Sequence, residues 1–336
     1  MSMAYTAESV PFPSLDDIRV ARERLGTRVI TTPVRRIADH ALAAELGPRT
    51  GVWLKEELFQ HTGSFKPRGA LTVMSQLSPE ALTRGVTGVS AGNHAISLAY
   101  SAQQLGTTAK VVMPRTANPY RIQLFRELGG IAELVDTIHQ AFERADEIVA
   151  EEGRTLVHPF EGPLTALGTA TVGLEFMMQM AETQTTLDAI IVASGGGGLT
   201  GGVACAVKQW RPGIEVYVVE PEGADSLHRS FAAGSPQTIE AVHTIADSLG
   251  SPRAEPYSYA LNKRFVDEIV LVTDDQIREG MRMLFRSAKL VVEPAGAAAM
   301  AALRFPLRER LEGRQVGIVV CGGNTDAITY AKHLSP

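Results

Sequence analysis

The spacing of apolar residues along this chain switches repeatedly between two periods, and each switch marks an element. Ser14 to Gly26 reads as a capped helix: Ser14 at the N-terminus, Asp16 and Asp17 in the first turn, Ile18 and Leu25 two turns apart on one face, and Gly26 closing it. Gly51 to Lys55 alternates as a short strand, and Pro67 opens a helix through Leu77 with Leu71 and Met74 on its apolar face. From Gly85 onward, strand, turn and helix recur. Val86–Ser90, Ala109–Met113, Glu133–Val135 and Thr155–His158 read as strands, and His94–Leu105, Pro119–Leu128 and Ile138–Glu152 as helices. Strands alternating with helices of about a dozen residues predict a parallel sheet with helical crossovers, and this first lobe spans roughly Arg84 to Phe160.

A second α/β lobe follows. Its helices are Gly168–Thr183, Leu199–Trp210, Asp274–Ala288 and Ala295–Leu303, and its strands Asp188–Ala193, Glu215–Val219, Phe265–Val272 and Gly317–Val320. Residues 223–262, rich in Gly, Ser, Pro and His, carry no clear period. The fold class is therefore α/β: two open twisted sheets with helices on both faces.

Composition narrows the function. The 336 residues exceed one small core, and 45% hydrophobic with 21% charged residues is ordinary for a soluble globular protein. A net charge of −5 without a basic run argues against nucleic acid as a partner. Met1 to Asp17 lacks a signal-peptide pattern, and no apolar run reaches membrane-spanning length, so no membrane partner is expected. Two cysteines, Cys205 and Cys321, offer no disulfide framework and suit a reducing, cytoplasmic compartment.

Four stretches carry chemistry. In Thr62-Gly63-Ser64-Phe65-Lys66-Pro67-Arg68-Gly69-Ala70, the proline biases Lys66 toward extended backbone, so the lysine is expected on the joint just ahead of the helix. A lysine held there beside Phe65 can be partly desolvated, which lowers its pKa and frees a nucleophile or base; an arbitrary lysine is more often solvated surface. Gly195-Gly196-Gly197-Gly198, between a buried strand and a helix, lets the backbone adopt positive φ and turn N–H groups toward one point, where a phosphate is the expected guest. Ser90-Ala91-Gly92-Asn93-His94 enters a helix from a strand end and can offer N–H groups and an amide to a carboxylate, although a plain helix cap is the blander reading. Cys321-Gly322-Gly323-Asn324 follows a strand at the end where open α/β sheets place ligands. No metal-ligand spacing occurs among the eight histidines.

Together, in this order, the four stretches resemble the fold-type II pyridoxal-phosphate enzymes, specifically the serine/threonine dehydratase group, over about Asp16 to Ala331. The resemblance implies pyridoxal 5'-phosphate as cofactor, attached to Lys66, which later acts as base at the substrate Cα. It implies that Gly195, Gly196, Gly197, Gly198 and Leu199 hold the phosphate, Asn93 the ring oxygen, Phe65 the ring face, and Cys321 the pyridine nitrogen. Ser90, Ala91, Gly92, Asn93 and His94 would hold the substrate carboxylate. The implied division is a discontinuous large cofactor-binding domain (1–83 and 161–336), a small domain (84–160), and a homodimer. The implied reaction is β-elimination from a small β-hydroxy amino acid, threonine or serine first, to a 2-oxo acid and ammonia. A thiol at the pyridine nitrogen leaves the ring nearer neutral, which suits elimination over a long-lived carbanion.

Departures from relatives sharpen this. Racemases of the group place a serine base where this chain has Ala91, so racemisation is not expected. Relatives that bind a divalent cation use two acids and a carbonyl; Glu220 and Ala224 match, but Ser226 stands in the second acid's place, and no metal is assigned. Only a short stretch follows Asn324, so feedback inhibition through a C-terminal regulatory domain such as that of biosynthetic threonine dehydratases is not expected. Three alternatives stand beside this reading: a β-replacement synthase of the same fold, a cofactor-binding protein without turnover, and a nicotinamide enzyme. The last would use Gly196, Gly198 and Gly201, which fit G-x-G-x-x-G after a strand, with Glu220 about twenty residues later.

Overall fold

A computed structural model describes residues 5–90 and 92–335. Among these residues, ten strands form two sheets. Val34–Ile37 (β1), Gly51–Lys55 (β2), Ala189–Ala193 (β7), Glu215–Pro221 (β8), Glu268–Val272 (β9) and Gln315–Val319 (β10) build a six-stranded sheet in the order β1-β2-β10-β7-β8-β9. Val86–Val89 (β3), Ala109–Pro114 (β4), Ile131–Val135 (β5) and Thr155–Leu156 (β6) build a four-stranded sheet in the order β5-β4-β3-β6. All pairs are parallel except the edge pair β1–β2. The second sheet is continuous in the chain, while strands of the first lie on either side of it.

The centre of the larger sheet explains its unbroken apolar strands. Every residue of β7 is buried, because helices cover both faces and alternation has no solvent side to serve. The alanine-rich helix Pro294–Arg304 is buried from Pro294 to Leu303, its small side chains bringing it close to the sheet. Gly168, in the Pro163–Glu182 helix, lies so close to the start of the Lys66–Met74 helix that a Cβ there would stand 2.3 Å from the Arg68 carbonyl oxygen.

Several expected boundaries shift, for physical reasons. Lys66 is the first residue of its helix (Lys66–Met74) rather than an extended joint. The pre-proline bias is overridden because Phe65 N donates to Cys321 O at 3.1 Å and Ser64 bridges Gly322, fixing the chain's entry. The helix expected from Gly168 begins at Pro163, and the one expected over Asp274–Ala288 changes to a π turn at Leu284–Ala288. Phe265 ends a helix, Pro256–Phe265, rather than opening β9. Residues 223–262 hold that helix's start and a second helix, Ser226–Ala233.

Candidate active site

The loops leaving the C-terminal ends of β3, β7 and β10 converge, and the start of the Lys66–Met74 helix is hydrogen-bonded into the last of them. Lys66 is half-buried there, its Nζ donating to Pro159 O at 2.6 Å and lying 5.2 Å from the centroid of the half-buried Phe65 ring. Burial pulls the ammonium down to about 8, with Cys321 and Glu293 opposing the shift. The neutral amine is therefore a minor but accessible form near neutral pH and the major one above about 8.

Beside Pro159, the Phe160 ring lies against the glycine loop: a Cβ on Gly196 would fall 2.4 Å from ring carbons, and one on Gly198 would fall 2.4 Å from Phe160 O. A Cβ on Gly195 would meet the Leu249 backbone at 3.1 Å. Only Gly197 has positive φ (+86°), so the loop needs three of its four glycines for close approach rather than for left-handed backbone, a correction to the expectation. The loop's carbonyls are tied from behind. Gly197 O accepts from Asn262 Nδ2 (2.8 Å) and Thr200 Oγ1 (3.1 Å), and Gly198 O from Thr169 Oγ1 (2.7 Å). Among the described residues, no protein acceptor takes the N–H groups of Gly195 to Leu199. They stand at the N-terminus of the Gly198–Trp210 helix, with their donors unused and their carbonyls fixed away, which is an anion cradle.

Asn93 opens the Asn93–Leu105 helix and is 5% exposed. Its Oδ1 accepts from Asn324 Nδ2 at 2.8 Å and its Nδ2 donates to Glu293 Oε1 at 2.6 Å, so the amide is pinned with its second N–H turned toward Ser248 at a long 3.5 Å. His94 does not point its ring at a ligand. Its buried Nε2 donates to Val157 O at 2.8 Å, and desolvation holds the imidazole neutral with a pKa of about 3, leaving only its backbone N–H for binding. In the same turn Gly92 N donates to Ser90 Oγ (3.1 Å) and Ser90 N to Val112 O (3.3 Å); the Ser90 hydroxyl and the Asn93 and His94 N–H groups are the remaining donors among the described residues. Ala91 lies outside the described residues.

Cys321 is buried, and desolvation pushes its thiol pKa up, so it is a neutral thiol and not a thiolate. Ser64 Oγ, one residue before Phe65, is fully buried with no hydrogen-bond partner among the described residues. Glu220 is fully buried at the end of β8, its oxygens accepting from Leu227 N (3.1 Å) and His228 N (2.7 Å). Among the described residues no group of three metal-ligating side chains gathers.

Residues 27–322 match the family described as pyridoxal-phosphate dependent enzymes. The chain belongs to that family. It is 47% identical to a phenylserine dehydratase of Ralstonia pickettii over 97% of this chain and 98% of the relative. It is 35% identical to a serine racemase of Schizosaccharomyces pombe over 98% and 99% of the two chains. Among solved structures, a threonine deaminase from T.th. superposes with a TM-score of 0.87 at 36% identity, covering 94% of this chain and 99% of that one. As a pyridoxal-phosphate enzyme, the protein uses pyridoxal phosphate as its cofactor, and the site fits that group. The anion cradle suits its phosphate, and the lowered lysine suits its aldehyde. The Ser64 hydroxyl, without a partner among the described residues, and the Asn93 N–H that meets Ser248 only at a long 3.5 Å are polar donors that such a group can use.

Two groups at this site carry no mark in the sequence, Arg121 and Glu293; Asp247 lies in the loop Ala246–Gly250, which the family resemblance places near the substrate. Arg121 Nη1 binds Asp247 Oδ2 at 2.6 Å, Nη2 binds Glu293 Oε2 at 3.2 Å, and Nε donates to Asn324 O at 3.0 Å. Among the described residues, no helix is long and apolar enough to cross a membrane.

One pH dependence follows from the lysine. A depressed pKa means that the neutral amine dominates above about 8, so the rate at which apoprotein takes up pyridoxal phosphate should rise with pH and level off above that value. Stopped-flow absorbance measures this; a midpoint near the ordinary 10.5 would show that Lys66 is fully hydrated.

Proposed function

We propose that this protein is an ammonia-lyase that eliminates the β-hydroxyl of a small β-hydroxy amino acid, giving a 2-oxo acid and ammonia. The observation that carries the reading is Lys66 with its amine lowered to about 8, beside a glycine loop whose N–H groups are unused. The names of its relatives support the substrate class, since phenylserine and threonine share an α-amino acid head and a β-hydroxyl. When bound, the cofactor supplies the electron sink that lets the α-proton leave. Lys66 would hold the cofactor and, as a neutral amine, take the α-proton. Gly195 to Leu199 hold the phosphate by backbone N–H groups. Asn93, its amide held by Glu293 and Asn324, would face the ring oxygen with the N–H that meets Ser248 only at 3.5 Å. Phe65 would pack on the ring, and the Cys321 thiol, protonated and uncharged, would meet the pyridine nitrogen without fixing a proton on it. The Ser90 hydroxyl and the N–H groups of Asn93 and His94 take the substrate carboxylate. Loss of the α-proton and the β-hydroxyl leaves an enamine, which water converts to the oxo acid and ammonia.

Ala91 carries no acid or base in its side chain, which favours elimination over transfer of a proton to the opposite face. The four-stranded sheet and its helices act as the small domain (84–160) against a large domain formed by 1–83 and 161–336. Incubation of the pyridoxal-phosphate-loaded protein with threonine, serine and phenylserine tests the reaction. Release of 2-oxo acid and ammonia in equal amounts is expected from at least one of them. Product that forms only when a thiol nucleophile is added would instead indicate β-replacement.

A further inference from the structure

Arg121 lies in the first turn of the Pro119–Glu127 helix, beside the four-stranded sheet, yet its guanidinium is bonded entirely to loops of the other sheet. Its partners differ in kind. The Asn324 carbonyl and the Glu293 carboxylate are buried, the Glu293 side chain being 1% exposed. Asp247, which takes Nη1, has a side chain 58% exposed, whereas that of Arg121 is 6% exposed. Nη1 is also the guanidinium atom nearest the Ser90–His94 turn, since a Cβ on Gly92 would stand 3.3 Å from it. One edge of a buried guanidinium thus faces the carboxylate turn, and the group now on that edge is a carboxylate that water can take back.

We propose that Arg121 binds the α-carboxylate of the substrate together with the Ser90–His94 turn, and that Asp247 holds the guanidinium until the substrate displaces it. This rests on the amino-acid lyase reading above and adds a specificity residue to it. The exchange is electrostatically mild. One carboxylate replaces another on the arginine, so the buried cation is never left without a partner, and Asp247 rehydrates from a position already more than half in water. Glu293 and Asn324 O keep the guanidinium plane in place during the exchange, so Nη1 needs no reorientation. A ligand without a carboxylate gains nothing from Arg121, which stays with Asp247.

The test is isothermal titration of the pyridoxal-phosphate-loaded protein with 3-hydroxybutyrate. This probe has the carboxylate and the β-hydroxyl but no amino group, so it binds without reacting. Asp247→Ala removes the competitor and is expected to bind the probe about tenfold tighter than the wild type. Arg121→Gln is expected to weaken binding by about tenfold or more while the yellow cofactor band is kept. The double variant should bind like Arg121→Gln alone. Unchanged affinity in Asp247→Ala overturns the proposal, and because Asp247 stands at the rim that variant does not depend on refolding a buried site. A double variant that binds as tightly as Asp247→Ala also overturns it. The titration needs no turnover, so a failure of the lyase reading shows in the oxo-acid assay and leaves this result independent.

Discussion

Lys66→Ala is expected to lower turnover of β-hydroxy amino acids by at least about 10⁴-fold while leaving the protein folded. Both halves of that expectation come from the lysine's surroundings. Among the described residues its side chain bonds only to Pro159 O and pairs with no carboxylate, so its loss breaks no buried charge pair. Its amine, however, has no substitute. Lys55, also buried, is tied to Glu175 Oε2 (2.9 Å), Thr32 O (2.8 Å) and Gln179 Oε1 (2.8 Å). His94 is neutral and spends its Nε2–H on Val157 O. Lys66→Arg should be as inactive as the alanine variant, because a guanidinium keeps the charge but gives no neutral amine. Oxo-acid release and thermal unfolding measured on the same samples separate activity from fold. Substantial turnover in Lys66→Arg would show that charge, and not the free amine, is what the site needs.

Arg68→Ala is expected to cost about 3–5 kcal/mol of stability and to lower the unfolding midpoint by roughly 10 °C. The arginine is fully buried two residues after Lys66 and grips two carboxylates. Nε and Nη2 bind Glu57 at 2.8 Å each, and Nη2 and Nη1 bind Glu175 at 2.8 and 3.0 Å. Lys55 and Arg22 complete the cluster on Glu175. Removing the guanidinium leaves Glu57 without its fork and Glu175 with only Lys55 and Arg22, and the penalty is that of undercompensated buried charge rather than of a lost contact. The Arg68 cation holds Glu175 ionised, with its pKa near 2. This carboxylate's folded pKa is depressed, so its share of the stability is present above the ordinary carboxylate range and is lost as pH falls toward about 2. Because the cluster anchors the first turn of the Lys66–Met74 helix, Arg68→Lys should fold but bind pyridoxal phosphate more weakly, its single ammonium replacing a two-sided fork. Calorimetry and cofactor titration check the two effects. An Arg68→Ala protein as stable as the wild type would contradict the account of the cluster.

The parts of the site that are contiguous in the chain are legible in the sequence alone. Phe65-Lys66-Pro67 and the glycine run stand out by residue type and order, even though Lys66 is helical and only Gly197 uses positive φ. What stays hidden depends on partners far away in the chain. Arg121 meets Asp247 across 126 residues and Glu293 across 172, and each alone resembles any surface charge. The Pro256–Phe265 helix escapes for the same reason: it lacks a local cap, and its first N–H groups are taken by Glu161, with Tyr257 N at 2.7 Å and Ser258 N at 3.0 Å. The dinucleotide-like spacing of Gly196, Gly198 and Gly201 has a packing origin. Phe160 presses on the first two, and a Cβ on Gly201 would meet Asn262 Nδ2 at 3.0 Å, while Glu220 caps a helix.

The central claim is that Lys66 carries pyridoxal phosphate against the glycine loop. The most direct measurement is the visible spectrum of the protein before and after borohydride, followed by peptide mapping of the reduced sample. The account predicts a yellow band that borohydride bleaches, a stable mass increase on the peptide containing Lys66, and neither in Lys66→Ala. A colourless protein that pyridoxal phosphate cannot reconstitute, or a label fixed on another lysine, would contradict it.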